Sequence, residues 1–105
     1  MATPHGFIEK LAQLSATGQP FVAVTLAETV GSTPQDAGTK MLVDATGLVF
    51  GTVGGGRIEN KAIEHARALL SKKGSHNKSL VRWNLKRDVG ITCGGTASVL
   101  LAPYN

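Results

Sequence analysis

Two short glycine clusters are the part of this sequence best suited to binding a ligand. Residues 54–56 are three glycines that follow an apolar, strand-like segment. Residues 94–95 are two glycines that precede another such segment and directly follow Cys93, the single cysteine of the chain. Glycine forgoes side-chain packing and costs conformational entropy, so paired clusters indicate backbone that turns tightly or lies close to another group. We interpret that group as a ligand.

The first cluster precedes a predicted helix that begins near Arg57. A strand, a glycine turn and a helix start present free backbone N–H groups and the positive end of the helix dipole to an anion such as phosphate. Arg57 adds a guanidinium group that can bind phosphate or carboxylate through two hydrogen bonds. The spacing is neither G-x-G-x-x-G nor the Walker pattern, so it specifies no dinucleotide or triphosphate. Close packing of strand against helix is the alternative interpretation.

Glu59 lies in the first turn of the same predicted helix. A glutamate that follows glycines at the start of an amphipathic helix invites comparison with nucleotide pyrophosphatases. This helix lacks the repeated carboxylates with which those enzymes hold several magnesium ions. Two roles therefore stay open for Glu59. It caps the helix N-terminus electrostatically, or it orients a ligand through a hydrogen bond.

Cys93 is predicted to lie on an exposed loop beside the second glycine cluster. A nucleophilic cysteine needs a neighbouring base, and the spacing ties none of His5, His65 and His76 to it. The thiol could instead approach a soft metal or a sulfur-rich cofactor, or be a small buried hydrophobic group. The histidines form no ligand-spaced set with Cys93, so we expect no structural zinc site.

A third candidate segment is the turn-forming sequence Gly-Ser-Thr-Pro at residues 31–34. Ser32 and Thr33 follow a predicted central strand, at a position where α/β sheets commonly bind ligands beyond the strand ends. Their hydroxyls could donate to a phosphate or a pterin, and a plain capped turn is the alternative. Lys40 begins the next strand and is expected to point toward the same site.

Hydrophobic periodicity predicts the elements that position these residues. Helices are expected over residues 4–17 and 57–73, and strands over residues 21–30, 40–43, 48–53, 81–86 and 96–102. A chain of 105 residues fits one domain. The order of elements predicts the α/β fold class, a single compact domain with a mixed β-sheet of about five strands and two main helices.

Composition narrows the possible functions. Apolar residues make up 42% and charged residues 17%, and no apolar run reaches the length of a membrane helix. The absence of a basic, then apolar N-terminal stretch and the single cysteine lead us to expect a cytoplasmic protein.

The net charge of +4 is concentrated in one basic segment. Such a patch could attract an anionic ligand, a nucleic acid or an acidic protein surface. The few aromatic residues do not form the interleaved set that single-stranded nucleic-acid binders use, so we do not expect nucleic acid as a partner. The basic residues are Lys72, Lys73, Lys78, Arg82, Lys86 and Arg87.

Taken together, the motifs resemble the N-terminal domain of the XdhC/CoxI family, accessory factors of xanthine dehydrogenase and related molybdenum hydroxylases. The resemblance runs from about residue 22 to residue 101, with the motifs in the same order and with fitting spacings. They are Gly31-Ser32-Thr33-Pro34, Gly38-Thr39-Lys40-Met41-Leu42-Val43, Gly47, Gly51-Thr52-Val53-Gly54-Gly55-Gly56 with Glu59, and Cys93-Gly94-Gly95-Thr96.

The resemblance implies a factor without catalytic activity that holds molybdenum cofactor and helps insert it into an apo molybdenum hydroxylase. It implies that Cys93 lies near the metal. The implied cofactor-binding residues are Ser32, Thr33, Lys40, Gly54, Gly55, Gly56, Arg57, Glu59, Cys93, Gly94 and Gly95.

Two departures from the family pattern stand out. Arg57 occupies the position after the triple glycine where many members have cysteine. Residues 1–105 correspond to the N-terminal domain, without the C-terminal Rossmann-like domain that many members carry. The residues alone leave two alternatives, a thiol-dependent transferase or hydrolase of a phosphorylated compound, and a non-catalytic domain that binds a partner. Exposed edge strands would also allow a homodimer.

Overall fold

The computed structural model describes residues 4–31, 33, 36–54, 56–71, 77–92 and 94–104. Helix α1 spans Pro4–Thr17 and helix α2 spans Gly56–Ser71. The strands are β1 (Phe21–Val30), β2 (Lys40–Asp44), β3 (Gly47–Gly51), β4 (Ser79–Asn84) and β5 (Thr96–Tyr104). The predicted α/β domain with five strands and two main helices is confirmed.

The five strands form one sheet in the order β3-β2-β1-β5-β4. All four pairings are antiparallel, so the mixed sheet that the sequence predicted is corrected to an antiparallel one. As predicted, β1 is central, and in its first half the residues that face α2 are buried, while Ala23 and Thr25 on the other face are half-buried. A register shift between Leu26 and Glu28 marks an irregularity in its pairing with β5.

The main core lies between the sheet and α2. The apolar stripe of α2 recurs at helical spacing and contributes Ile58, Ala62, Ala66 and Leu69. It packs on the alternate residues of the sheet that face it, among them Val24, Met41 and Val99, all fully buried. Helix α1 contacts β2 and β3. It lies on the opposite face, because Lys40, which alternates with Met41, reaches the ring of Phe7 in α1.

Because neighbouring strands run in opposite directions, strand ends and strand starts alternate along one end of the sheet. There β1, β3 and β4 end and β2 and β5 begin. The segments that follow β1, β3 and β4 therefore meet at this end, and so does the N-terminus of α2. The two glycine clusters belong to these segments.

The strand predicted over residues 81–86 is corrected at its end. Strand β4 stops at Asn84 and continues into a π-helical turn, Leu85–Val89. The backbone N–H of Asn84 donates to Asp88 Oδ2 at 2.8 Å, and the N–H of Arg87 donates to Asn84 Oδ1 at 2.8 Å. These side chains give the backbone an alternative to the strand ladder, and they stop the strand there. The predicted end of α2 at residue 73 lies outside the described residues.

Candidate functional site

The segment after β1 touches the second glycine cluster. A Cβ placed on Gly31 would lie 3.2 Å from Gly95 Cα, and Gly31 has φ 76°, a conformation that favours glycine. Gly95 is in turn fixed from the other side, because its carbonyl accepts a 3.0 Å hydrogen bond from the N–H of Leu85. The left-handed conformation and the close approach of the two segments therefore both favour glycine at position 31.

Arg57 connects the start of α2 to the segment that carries the second cluster. Its Nη1 donates to the carbonyl oxygen of Gly90, which ends the π-helical turn with φ 80°. One turn further along α2, Lys61 Nζ lies 5.5 Å from the centre of the Trp83 ring, within the range of a cation–π contact. The structure thus brings the first turn of α2 beside the segment that leads to Gly94 and Gly95.

The first glycine cluster differs in detail from the predicted anion cradle. The N–H of Gly54 already donates to Thr52 Oγ1 at 3.2 Å, and Gly54 has φ 146°. Gly56 begins the helix. The N–H groups with no partner inside the helix are those of its first turn, so an anion would meet these rather than the N–H of Gly54.

Glu59 has the least satisfied polar atom at this site. Its Oε1 is buried and has no hydrogen-bond partner in the part of the chain that the structure describes. Leaving a buried acceptor unpaired costs about 1–3 kcal/mol. Helix geometry separates Glu59 from Arg57 by about 200° around the axis. The two side chains therefore lie on opposite sides of the helix start.

Lys40 does not join this group. Its Nζ lies 3.5 Å from Thr25 Oγ1 and 6.0 Å from the centre of the Phe7 ring. Both partners are on the sheet face opposite to α2. The sequence predicted that Lys40 points toward the ligand site, and the structure places its ammonium group elsewhere.

The remaining predicted residues fall into two groups. Thr33 is half-buried in the segment after β1, and Gly94 is exposed, with nothing within 4 Å of the place a Cβ would occupy. The open space at Gly94 leaves its backbone accessible to a ligand. Ser32, Gly55 and Cys93 lie outside the described residues.

Sequence reasoning missed Gly90 and the π-helical turn that presents its carbonyl. π-Helical turns are rare and frequently occur at functional sites. The signal was Asn84 and Asp88 four residues apart, followed by glycine, a set of residues that favours local side-chain hydrogen bonds and a helix C-cap.

A groove of about 600 Å³ lies beside α2 and is lined by helix residues between Asn60 and Ser71 together with Ala45 of the turn between β2 and β3. Its lining includes neither Arg57 nor Glu59 and none of the described glycines, so we place the candidate site at the glycine-rich end of the sheet instead. Within the described ranges, no set of three His, Cys, Asp or Glu side chains could hold a metal ion. Neither described helix is long and apolar enough to cross a membrane.

The π-helical turn is expected to loosen in acid. Hydrogen bonds from the Arg87 side chain, and then from the Asn84 N–H, lower the pKa of Asp88 below its ordinary value. Because the folded pKa is the lower one, the stabilisation is complete above the unfolded value and is lost as pH falls below about 4. We expect the Asn84 amide resonance to shift over this range, by NMR titration.

Replacing Asp88 with Asn should abolish that titration. Asp44 provides an internal reference at the far end of the sheet, since a 2.6 Å hydrogen bond from the Thr46 hydroxyl lowers its pKa too. The Thr46 amide should titrate equally in both proteins. An Asn84 amide that is insensitive to acid in the unsubstituted protein would contradict the prediction.

Comparison with known proteins agrees with the motifs. A sequence model of the XdhC and CoxI family matches residues 14–84. The uncharacterized protein YqeB of Escherichia coli strain K12 is 36% identical over 94 residues, which cover 89% of this chain and 17% of YqeB. The crystal structure of a xanthine dehydrogenase from Bacillus halodurans has a TM-score of 0.73 and 29% identity, over 93% of this chain and 30% of that one.

The chain thus spans less than a third of the length of either protein. The family match extends from the end of α1 to the last residue of β4, and it includes the first glycine cluster, Arg57 and Glu59. This match covers more than half of the chain. The chain belongs to the XdhC and CoxI family.

Proposed function

We propose that this domain binds molybdenum cofactor and helps transfer it to an apo molybdenum hydroxylase of the xanthine dehydrogenase type. Family membership supports the accessory role, and the structural neighbour associates the fold with that class of enzyme. The observation that carries the proposal is the buried, unpaired Oε1 of Glu59 at the end of the sheet where both glycine clusters lie.

Glu59 fits the pterin part of the cofactor. A pterin presents N–H donors along one edge, and an ionised carboxylate is a strong acceptor for such donors. A bound pterin would therefore satisfy the Oε1 atom that the protein leaves without a partner. Glu59 would hold and orient the ring system.

Arg57 and the first turn of α2 fit the phosphate. The guanidinium group has five N–H donors, and the structure assigns one nitrogen, Nη1, to the carbonyl of Gly90. The other nitrogens and the first-turn N–H groups can serve a phosphate. Arg57 and Glu59 lie on opposite sides of the helix start, and phosphate and pterin are at opposite ends of the cofactor.

Cys93 is proposed as the residue near the metal, on the basis of the family resemblance alone. When bound, the cofactor would supply the dithiolene-held molybdenum that a hydroxylase uses for redox chemistry. Open backbone at Gly94 would let the cofactor approach closely. This chain would bind, orient and shield the cofactor, with no bond made or broken.

Retention of the cofactor tests the proposal. The purified domain is incubated anaerobically with molybdenum cofactor and desalted, and metal and pterin are measured per chain. We expect near-stoichiometric retention of both. Loss of both on desalting would contradict the proposal.

The phosphate role is tested by Arg57→Ala. We expect binding of phosphorylated pterin to weaken by at least about tenfold, because a charge-assisted hydrogen bond contributes about 1.5–3 kcal/mol. Binding of the dephosphorylated form should change much less. Equal weakening of both forms would mean that Arg57 acts only by holding Gly90.

A further inference from the structure

The outer edge of β4 has no function in the proposed cofactor site. β4 ends the sheet, and among the described residues no element pairs with its free side. An edge strand exposes a row of unpaired N–H and C=O groups, which can pair with another chain. Leu80 and Arg82 lie on the face away from α2, and Lys78, directly before the strand, continues the same every-second-residue spacing.

These three side chains are accessible. Leu80 is 66% exposed, more than any other large hydrophobic side chain among the described residues. Arg82 lies 3.3 Å from Glu28, and both of these side chains are 62% exposed. An ion pair this exposed contributes little, so Arg82 can exchange Glu28 for another carboxylate at small cost.

Charge determines which kind of chain can pair with this edge. Residues 71–87 contain six basic and no acidic side chains. The rest of the chain has five basic and seven acidic residues, so its net charge is −2. A second copy paired through β4 would bring Lys78 and Arg82 beside the same residues of its partner, which is unfavourable. The charges therefore disfavour a homodimer at this edge and favour an acidic segment.

Nucleic acid fits less well than protein. Binding of single strands relies on exposed aromatic side chains for stacking. The aromatic residue of this strand, Trp83, is 7% exposed and has Lys61 over its ring. The exposed Leu80 offers an apolar contact instead. Such a contact suits strand addition, in which an extended peptide pairs with a sheet edge: backbone hydrogen bonds supply affinity, and alternate side chains supply specificity.

We propose that the outer edge of β4 binds an extended acidic segment of a partner protein, which adds a sixth strand to the sheet. The segment would place acidic, apolar and acidic side chains at alternate positions, opposite Lys78, Leu80 and Arg82.

The probe is a fluorescein-labelled peptide, Thr-Thr-Glu-Thr-Val-Thr-Glu-Thr-Thr, titrated by fluorescence anisotropy. Its matched control replaces the two threonines beside valine with proline, which keeps the charge and removes two strand N–H donors. We expect the first peptide to bind at least tenfold more tightly, and to protect amides within residues 79–84 from hydrogen exchange.

The double variant Lys78→Glu and Arg82→Glu should weaken binding about tenfold, because it replaces two attractive cross-strand pairs with repulsive ones. The control variant Lys10→Glu and Arg67→Glu changes the net charge equally, away from β4, and should weaken binding less than about threefold. The proposal would be overturned if both peptides bound equally or if both double variants lost binding equally. Protection of β3 amides in place of β4 amides would also overturn it. So would displacement of the labelled peptide by oligothymidylate at a lower concentration than by unlabelled peptide.

Discussion

Gly51→Ala is expected to destabilise the domain by about 2–5 kcal/mol, since it combines left-handed strain with overpacking against backbone. Gly51 has φ 83°, and a Cβ there would lie 2.3 Å from the carbonyl oxygen of Lys40 and 3.0 Å from Met41 Cα. That carbonyl also accepts the N–H of Thr52 at 3.2 Å. Because Met41 is fully buried, β2 cannot move aside without disturbing the core.

Two other glycines separate the causes of this effect. Gly38 has φ 98° with nothing within 4 Å of an added Cβ, so Gly38→Ala should cost only the strain of about 1–2 kcal/mol. Gly94 has open space and no positive φ, so Gly94→Ala should change stability by less than about 0.5 kcal/mol. Urea unfolding of the three variants checks the order. If Gly51→Ala lowered the free energy of unfolding no more than Gly38→Ala does, the β2–β3 hairpin would have shifted to accommodate the added Cβ.

Glu59→Met is expected to weaken cofactor retention strongly while leaving the free domain as stable or more stable. Removing a buried, unpaired carboxylate oxygen should recover about 1–3 kcal/mol. Losing a negative charge at the helix N-terminus should cost about 0.3–1 kcal/mol. The first effect is larger, so we expect a net stabilisation of about 1 kcal/mol. Retention should fall at least about tenfold, because the pterin N–H groups lose a charged acceptor.

Thermal unfolding and cofactor retention are measured on the same samples, with Glu64→Met as the control. Glu64 is exposed on the same helix, and its replacement should alter neither quantity appreciably. Destabilisation by more than about 2 kcal/mol would mean that Glu59 has a structural partner. Unchanged retention would remove Glu59 from the site.

Local signals predicted the elements closely. Helix α1 occupies residues 4–17 and β1 occupies residues 21–30, as expected from the periodicity and from Gly18, which has φ 74° at the helix end. The motifs also identified the family, because their order and spacing are properties of the chain alone. Both kinds of signal can be read along the chain without knowing which distant segments touch.

The candidate site was predicted only in part. Arg57 and Glu59 were chosen correctly as residues at the helix start, but the partner of Arg57 is the carbonyl of Gly90, 33 residues away. Lys40 follows β1 closely in sequence, yet strand alternation places its ammonium group beside Phe7, on the other face of the sheet. The unpaired Oε1 of Glu59 is a property of its surroundings, which no sequence pattern specifies.

The positions of the helices, of most strand residues, of the glycines and of the basic segment therefore follow from local conformational preference, spacing or composition. Three features appear only in the folded chain: β1 lies between β2 and β5, all four pairings are antiparallel, and the segments that carry the glycine clusters meet at one end of the sheet. Strand neighbours and side-chain partners are set by burial between distant segments, where several pairings satisfy the same local pattern and only packing selects among them.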